Sequence, residues 1–376
     1  MSAIELNSAE LLRYQRQINL DTFGIDGQLR LKQARVLIIG LGGLGQPCAQ
    51  ILNAAGVGEL GLMDADCVEA SNLHRQFLSS PSDIGLAKIE VVKQKLEQQN
   101  PAVDLKLYRE KLSPHSSVEL FKTYDLIIDG TDNFIARYAA CDFALKLKKP
   151  LLHASILKES GMLALFEASG PCYRCLYPDP PPPELVPSCS EAGVLPSTTA
   201  FFGALLANNA INWILGKPGK LQTHFFQCNS HTLDVSWYKK PKEPNCPACE
   251  MQNFDQLTYP QTPSKCQILE RKTVSLREAI ALQQNYQWVD IRNQEERQLG
   301  YIPHSIHIPF ENLAKGLERE RLSSSKPILL YCQSGNRSAK ALQTLTHIKS
   351  LYQLKKGYLA WLEHEMNLQN RSEKPV

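Results

Sequence analysis

The run Val36-Leu37-Ile38-Ile39-Gly40-Leu41-Gly42-Gly43-Leu44-Gly45 constrains the fold more than any other stretch of the chain. The apolar residues between Arg35 and the glycines read as a short strand buried on both faces, as in a parallel sheet. Gly40, Gly42 and Gly45 have the Gly-x-Gly-x-x-Gly spacing. Glycines there let the chain turn tightly into a helix and let backbone N–H groups approach a phosphate at the helix N-terminus. A second apolar strand, Leu60 to Met63, ends at Asp64, 19 residues after Gly45. An acid near that position grips ribose hydroxyls in dinucleotide-binding units. The order of strand, loop, helix, strand and acid predicts a nucleotide site. The alternative is a tight turn in an α/β domain that holds no ligand.

The following residues repeat the alternation. A helical stretch is expected over 84–99 with Lys88 near its start, and Leu126-Ile127-Ile128 reads as another buried strand ending in Asp129 and Asp132. Leu151-Leu152 begins the next. Strands alternating with helices predict a doubly wound, mostly parallel sheet. The polar cluster Ser71-Asn72-Leu73-His74-Arg75-Gln76 follows a strand end, where ligands collect in such sheets. Cations and acids at strand ends suit a polyphosphate with a divalent metal. Taken singly, Asp132 suits a helix cap, a role Thr131 or Asn133 could share, and Lys88 suits solvent. Residues 8–32, with Arg13, Arg16 and Arg30, read as a solvated helical segment.

Eleven cysteines in a chain of 376 residues, without a basic and apolar leader at Met1, point to thiols, metal ligands or catalysis in a reducing compartment. A cytoplasmic location is therefore expected. The net charge of +3 gives no argument for nucleic acid or membrane binding, and no run of 18 apolar residues occurs.

Two cysteine pairs, Cys172 with Cys175 and Cys246 with Cys249, are separated by 70 residues. Four thiolates would complete a closed tetrahedral Zn²⁺ site that staples distant segments and leaves no catalytic position. Reduced thiol pairs or a redox Cys-x-x-Cys are the alternatives. Pro180 to Pro183 exclude helix and predict an extended crossover loop leading to Cys189, either an ordinary exposed thiol or a catalytic one. A largely apolar helix is expected over 199–215.

The polar stretch 251–268, with Pro260 and Pro263, reads as a linker between a domain over 1–250 and another over 269–376. In the second, Trp288 to Arg292, Ile302 to Pro309 and Ile328 to Tyr331 read as extended, and Ser338 to Leu345 as helical. Cys332-Gln333-Ser334-Gly335-Asn336-Arg337 follows the last strand. Converging N–H groups, a helix dipole and Arg337 would favour a thiolate or persulfide on Cys332. A buried structural cysteine is the alternative.

Residues 8–250 resemble the MoeB/ThiF branch of the ubiquitin-activating-type adenylyltransferases. The features are Leu12-Arg13-Tyr14-Gln15-Arg16-Gln17-Ile18, Gly40 to Gly45, Asp64-Ala65-Asp66, Ser71 to Gln76, Gly85 with Lys88, Asp129-Gly130-Thr131-Asp132-Asn133 with Arg137, and both cysteine pairs. Residues 269–366 resemble a rhodanese through Asp290-Ile291-Arg292, Gly300-Tyr301-Ile302-Pro303, Ile308-Pro309 and Cys332 to Arg337. The resemblance implies a Rossmann-like, mostly parallel adenylyltransferase domain with a smaller α/β rhodanese domain. It also implies ATP over Gly40, Gly42 and Gly43, with Asp64 on the ribose. Asn72, Arg75, Gln76, Lys88 and Asn133 would join the nucleotide site, and Asp132 would hold Mg²⁺. Arg16 would reach the partner subunit's site in a homodimer. The substrate would be a ubiquitin-like sulfur carrier protein ending in Gly-Gly. Cys332, loaded by a persulfide donor such as a cysteine desulfurase and assisted by Arg337, would deliver sulfur. Cys189 would occupy the position of a cysteine that forms a covalent acyl link. Molybdopterin synthesis is the expected pathway, with thiamine synthesis and tRNA thiolation as alternatives. Leu206, Asn209 and Asn212 replace the Gln, Glu and Lys usual in the helix after Gly203, which implies altered packing or carrier docking. Tyr301 stands where rhodaneses usually carry His.

An NAD-dependent oxidoreductase would also use the glycine loop, but it leaves Arg16, Arg75, Lys88, Asp132 and the Cys332 loop unexplained. A carrier-binding adaptor without catalysis is the non-enzymatic alternative.

Overall fold

In a computed structural model, β1 (Arg35–Ile39) lies between two parallel strands, β2 (Glu59–Met63) and β4 (Leu126–Asp129). The structure describes residues 5–179, 193–259, 272–322, 325–345, 348 and 350–372. Successive residues of β1 face opposite sides. Val36 and Ile38 enter one apolar core, and Leu37 and Ile39 the other. Covering both faces explains why the strand is apolar throughout rather than alternating. The helices Gly45–Ala55 and Pro196–Ile214 supply the first core, and the helix Phe134–Lys146 the second.

The remaining strands are β3 (Asp104–Tyr108), β5 (Leu151–Leu157), β6 (Ser160–Phe166), β7 (His224–Asn229) and β8 (Val235–Lys239). The sheet order is β3-β2-β1-β4-β5-β6-β7-β8. β1 to β5 are parallel, and β6 to β8 extend the sheet antiparallel. Strand order reverses between β1 and β4, the point where open α/β sheets bind ligands. Gly40 and Gly130 meet there: a Cβ on Gly40 would lie 3.1 Å from the Gly130 carbonyl oxygen, and Gly40 has a φ of +86°. The segment 8–32 divides into two helices, Ser8–Ile18 and Gly24–Gln33. Asn7 and Glu10 form a capping box at the start of the first, and Gly24 takes a left-handed φ of +63° at the break.

Lys240, just beyond β8, is only 4% exposed, and its ammonium donates to the carbonyls of Leu221 (3.0 Å) and Leu165. Burial holds its pKa down at about 8 despite the opposing charge of Glu167. The unfolded chain keeps that proton to about pH 10.4, so between about pH 8 and 10.4 the unfolded state binds more protons and stability rises with pH. Lys240→Met removes this dependence. Denaturant unfolding at pH 7.5 and pH 10 should show the parent gaining on the order of 2 kcal/mol relative to the variant. A pH-independent difference contradicts the assignment.

The chain divides into two compact units, Met1–Pro260 and Gln261–Val376. In the second, β9 (Thr273–Val274), β10 (Gln287–Asp290), β11 (Ile306–His307), β12 (Ile328–Tyr331) and β13 (Leu351–Leu354) form a parallel sheet in the order β11-β10-β12-β13-β9. Of the extended segment expected over 302–309, only Ile306 and His307 are strand. Ser305 closes a turn by donating from both its N–H and its hydroxyl to the Ile302 carbonyl, and His304 has a φ of +65°. Among the described residues, no helix is long and apolar enough to cross a membrane.

Candidate active site

A cleft opens over the carboxyl ends of β1, β2 and β4. Each glycine of the loop has its own reason. A Cβ on Gly45 would lie 1.9 Å from the Gly40 carbonyl oxygen, and one on Gly43 would lie 2.9 Å from Thr199 Cγ2. A Cβ on Gly42 would meet nothing within 4 Å, so there the bare backbone faces open space. Four helices begin around the cleft: Gly45–Ala55 after the glycine loop, Lys88–Gln99 at Lys88, Phe134–Lys146 after Asn133, and Pro196–Ile214 beside Val194 and Thr199. The positive ends of their dipoles suit an anion.

Asp64 is already engaged: Oδ2 accepts from Leu41 N at 2.7 Å and Oδ1 from Asp66 N at 2.8 Å. Lys88, the first residue of the helix Lys88–Gln99, is buried with its ammonium 3.7 Å from both Asp64 and Asp66. Asn72 accepts from Gln76 at 2.7 Å and Arg75 at 3.4 Å, while Arg75 also donates to the Ser71 carbonyl at 2.8 Å. Gly40, Gly42, Gly43, Asp64, Asn72, Arg75, Gln76, Lys88, Asp132 and Asn133 all line this one cleft.

Several expected roles divide here. Asn133 caps the helix Phe134–Lys146, accepting from Ala136 N at 2.9 Å, which leaves Asp132 exposed at the cleft. Gln76 is buried, with its amide shared with Asn72 and Gln46. Arg16 lies exposed on Ser8–Ile18 and does not line the cleft of its own chain. Cys189 lies outside the described residues.

Sequence reasoning missed Lys111, whose ammonium is 3.0 Å from Asp66 at the rim of the cleft. Although burial raises Asp66, Lys111 and Lys88 hold its carboxyl below the usual carboxylate range. Lys111 was hidden because β3, just before it, is a half-exposed edge strand with charged residues. It also missed the buried His153 beside Asp129.

The two cysteine pairs meet. All four Sγ atoms lie within 4.8 Å of one another, at 3.9 Å for Cys172–Cys175, 3.6 Å for Cys172–Cys246 and 3.4 Å for Cys175–Cys249. Tetrahedral zinc with bonds of about 2.3 Å needs sulfur edges of about 3.8 Å, so this donor set fits the ion. Burial, then the neighbouring thiols, push the Cys249 thiol up to about 12. A bound divalent cation reverses that balance, since the ligand is the thiolate. Beside the tetrad, Arg174 donates twice to Asp142, both at 2.9 Å, and to the Thr258 carbonyl at 3.0 Å. Leu257 and Tyr259 pack on the same core, so this end of the stretch read as linker belongs physically to the first unit. Cys246→Ser should lower bound zinc from one ion per chain to none. Melting should fall on the order of 10 °C by calorimetry, because the ion contributes folding free energy directly. Retention of zinc in the variant contradicts a four-thiolate site.

In the second unit, Cys332 follows β12 and is 1% exposed. Gly335 N donates to its Sγ at 3.2 Å, and the helix Asn336–Thr344 starts immediately after. Gly335 has a φ of +98°, and Gly357 cannot carry a side chain because a Cβ would lie 2.2 Å from the Cys332 carbonyl oxygen. Burial alone would suit a structural cysteine. An N–H turned onto the sulfur by a left-handed glycine suits an anionic sulfur. Arg337 donates to both carboxylate oxygens of Glu296, one at 2.7 Å. Arg292, buried against Tyr358, donates to Asp290 and to Gln333 at 3.2 Å, which ties the loop to β10.

The fold and these sites define a nucleotide-binding enzyme unit joined on one chain to a sulfur-carrying unit. Residues 14–248 match the ThiF family and residues 275–364 the rhodanese-like domain. The chain is 34% identical over 370 residues to adenylyltransferase and sulfurtransferase MOCS3 of Aedes aegypti, covering 93% of this chain and 84% of the relative. It is also 34% identical over 370 residues to the probable adenylyltransferase/sulfurtransferase MoeZ of Mycobacterium tuberculosis, covering 96% and 94%. The crystal structure of E. coli MccB with ATP shares the fold at a TM-score of 0.53 and 23% identity, over 65% of this chain and 75% of that one. The chain belongs to the ThiF family, in the branch that carries a C-terminal rhodanese domain, and is an adenylyltransferase and sulfurtransferase.

Proposed function

We propose that this enzyme adenylates the C-terminal glycine of a ubiquitin-like sulfur carrier protein and then converts it to a thiocarboxylate, in molybdopterin synthesis. One observation carries the reading: a cleft lined by helix starts, cations and an exposed acid, and a thiol loop with an N–H on its sulfur, occur on one chain. In the first step a carboxylate oxygen of the carrier attacks the α-phosphorus of ATP, and pyrophosphate leaves. Arg75, Lys88 and the glycine-loop N–H groups balance phosphate charge, Asn72 orients it, and Asp64 holds the ribose. Asp132 fits Mg²⁺, which binds through one or two carboxylates plus substrate phosphates and would supply charge stabilisation there. Arg16, exposed and away from its own cleft, would serve the second copy in a homodimer. The four-cysteine tetrad would hold Zn²⁺ as a structural ion.

In the second step, the terminal sulfur of a Cys332 persulfide attacks the acyl carbon, and AMP leaves. This joins carrier and enzyme through an acyl disulfide. Attack of the Cys189 thiol on Cys332 Sγ frees the thiocarboxylate and leaves a Cys189–Cys332 disulfide, which a cellular thiol reduces. A cysteine desulfurase would reload Cys332. A cytoplasmic location goes with this reading, as the cysteine-rich sequence suggests for a reducing compartment.

The test incubates the zinc-loaded protein with MgATP, a desulfurase with cysteine, and carriers of the molybdopterin, thiamine and tRNA-thiolation classes in turn. Intact-mass spectrometry should show one oxygen replaced by sulfur on the molybdopterin carrier. Conversion of only another carrier reassigns the pathway, and conversion of none overturns the reaction.

A further inference from the structure

His153 is a buried titratable group that none of these steps uses. It stands on β5 directly beside Asp129 of β4 in the sheet register, 1% exposed and outside the lining of the cleft. Its Nδ1 lies 2.8 Å from Asp129 Oδ2, while its buried Nε2 has no partner. Burial pushes the imidazole pKa below its ordinary value, against the opposing pull of the Asp129 carboxylate. Burial alone would raise Asp129, but His153, Arg137 and Thr131 together hold it below the usual carboxylate range. At 2.8 Å from an oxygen of this carboxylate, which can only accept, Nδ1 carries the proton and donates. An apolar residue would fill this space without stranding Nε2.

Asp129 divides its oxygens. Oδ2 takes His153, and Oδ1 accepts from Thr131 N at 3.0 Å and Thr131 Oγ1 at 2.7 Å. That closes the turn 129–131, whose Gly130 N donates to Ile39 at 3.0 Å and whose Thr131 carbonyl accepts from Arg137 at 3.3 Å. Asp132 comes next and reaches the cleft. The imidazole is backed by the ring of Tyr173, edge-on at 5.2 Å, and by Phe166 at 6.4 Å. Tyr173 directly follows Cys172 of the thiol tetrad.

We propose that His153 is a positioning residue for adenylation: its hydrogen bond orients Asp129, which fixes the Thr131 turn and so aims Asp132 into the cleft. This rests on the reading of Asp132 as the residue for the nucleotide's magnesium. Outer partners of that kind are set by geometry rather than by contact with the nucleotide.

The test measures MgATP affinity by calorimetry on the full-length, zinc-loaded protein, alongside carrier-dependent pyrophosphate exchange. His153→Phe keeps a ring against Tyr173 and removes the donor. His153→Asn places an amide N–H where Nδ1 stood. His153→Phe should weaken MgATP about 10-fold or more, with zinc content and carrier KM unchanged, and His153→Asn should return to within about threefold of the parent. Asp129→Asn should give the same loss, and the double variant H153F/D129N should be no worse than either, because the two act as one unit. Parent affinity in zinc-loaded His153→Phe, or additive losses in the double variant, overturns the proposal. If His153→Phe does not fold, His153→Gln decides: its amide reaches the Nε2 position and leaves Asp129 without its donor, so parent affinity there overturns the proposal equally. A parent that binds no MgATP removes the reading of the cleft itself, whereas a binding parent with unaffected variants removes only the positioning role.

Discussion

Asp132→Ala should lower carrier-dependent ATP–pyrophosphate exchange by at least about 100-fold, on the order of 3 kcal/mol of transition-state stabilisation. The size follows from the distribution of carboxylates around the cleft. Asp64 is committed to Leu41 N and Asp66 N, and Asp66 is paired with Lys111 and Lys88. Asp129 is committed to Thr131 and His153. Asn133, not Asp132, caps the following helix. Besides Glu110 at the rim, Asp132 is thus the cleft acid not already held by a pairing or a turn, and it directly follows the turn that ends β4. Because it is exposed and bears no cap, its removal should leave melting temperature and zinc content unchanged. Carrier binding should also survive, so it is the loss of exchange that separates an enzyme from an adaptor. Exchange at the parent rate in Asp132→Ala would remove this residue from the chemistry. Loss of exchange accompanied by unfolding would make its role structural.

Cys332→Ser should abolish thiocarboxylate formation, to the background of the assay, while exchange stays within about threefold of the parent. A serine hydroxyl fits the space and can accept from Gly335 N, but it cannot carry sulfane sulfur. The variant should therefore fold and accumulate the acyl-adenylate or hydrolyse it. Mass spectrometry of the carrier and radiolabel exchange on the same preparation check both halves. Loss of both activities would mean that the rhodanese unit is needed for adenylation itself. Retained sulfur transfer would move the persulfide to another cysteine.

Much of this molecule was legible in order. The glycine spacing, the acid at Asp64, the DGTDN run from Asp129 and the Cys332 loop all sit at strand ends, and in a parallel sheet the strand ends form one edge. Parallel strands predict that Asn72 and Asp132, which follow strand ends, lie along one edge, and Lys88 joins them from the start of its helix. The two Cys-x-x-Cys pairs were legible by chemistry despite their separation, because four thiols have few other reasons to converge.

What remained hidden depended on partners far apart in sequence. β3 lacked an apolar run because it is an edge strand, and Lys111 vanished with it. The Asp129–His153 pair depends on the register of β4 against β5, which a single histidine in Leu152-His153-Ala154 does not announce. Asn133 and Asp132 are neighbours of similar chemistry, and only the start of the helix at Phe134 assigns the cap to Asn133. The hold of Arg174 on Asp142 and the Thr258 carbonyl likewise fastens part of a polar stretch that has no period of its own.

The most direct measurement is radiolabelled pyrophosphate exchange into ATP by the purified, zinc-loaded protein, with carriers ending in Gly-Gly added one at a time. Adenylation of a carrier's terminal carboxylate predicts exchange that requires both Mg²⁺ and one carrier, and that is lost when the carrier's last glycine is deleted. Exchange without any carrier, or none with every carrier from a folded and ATP-binding protein, would contradict it.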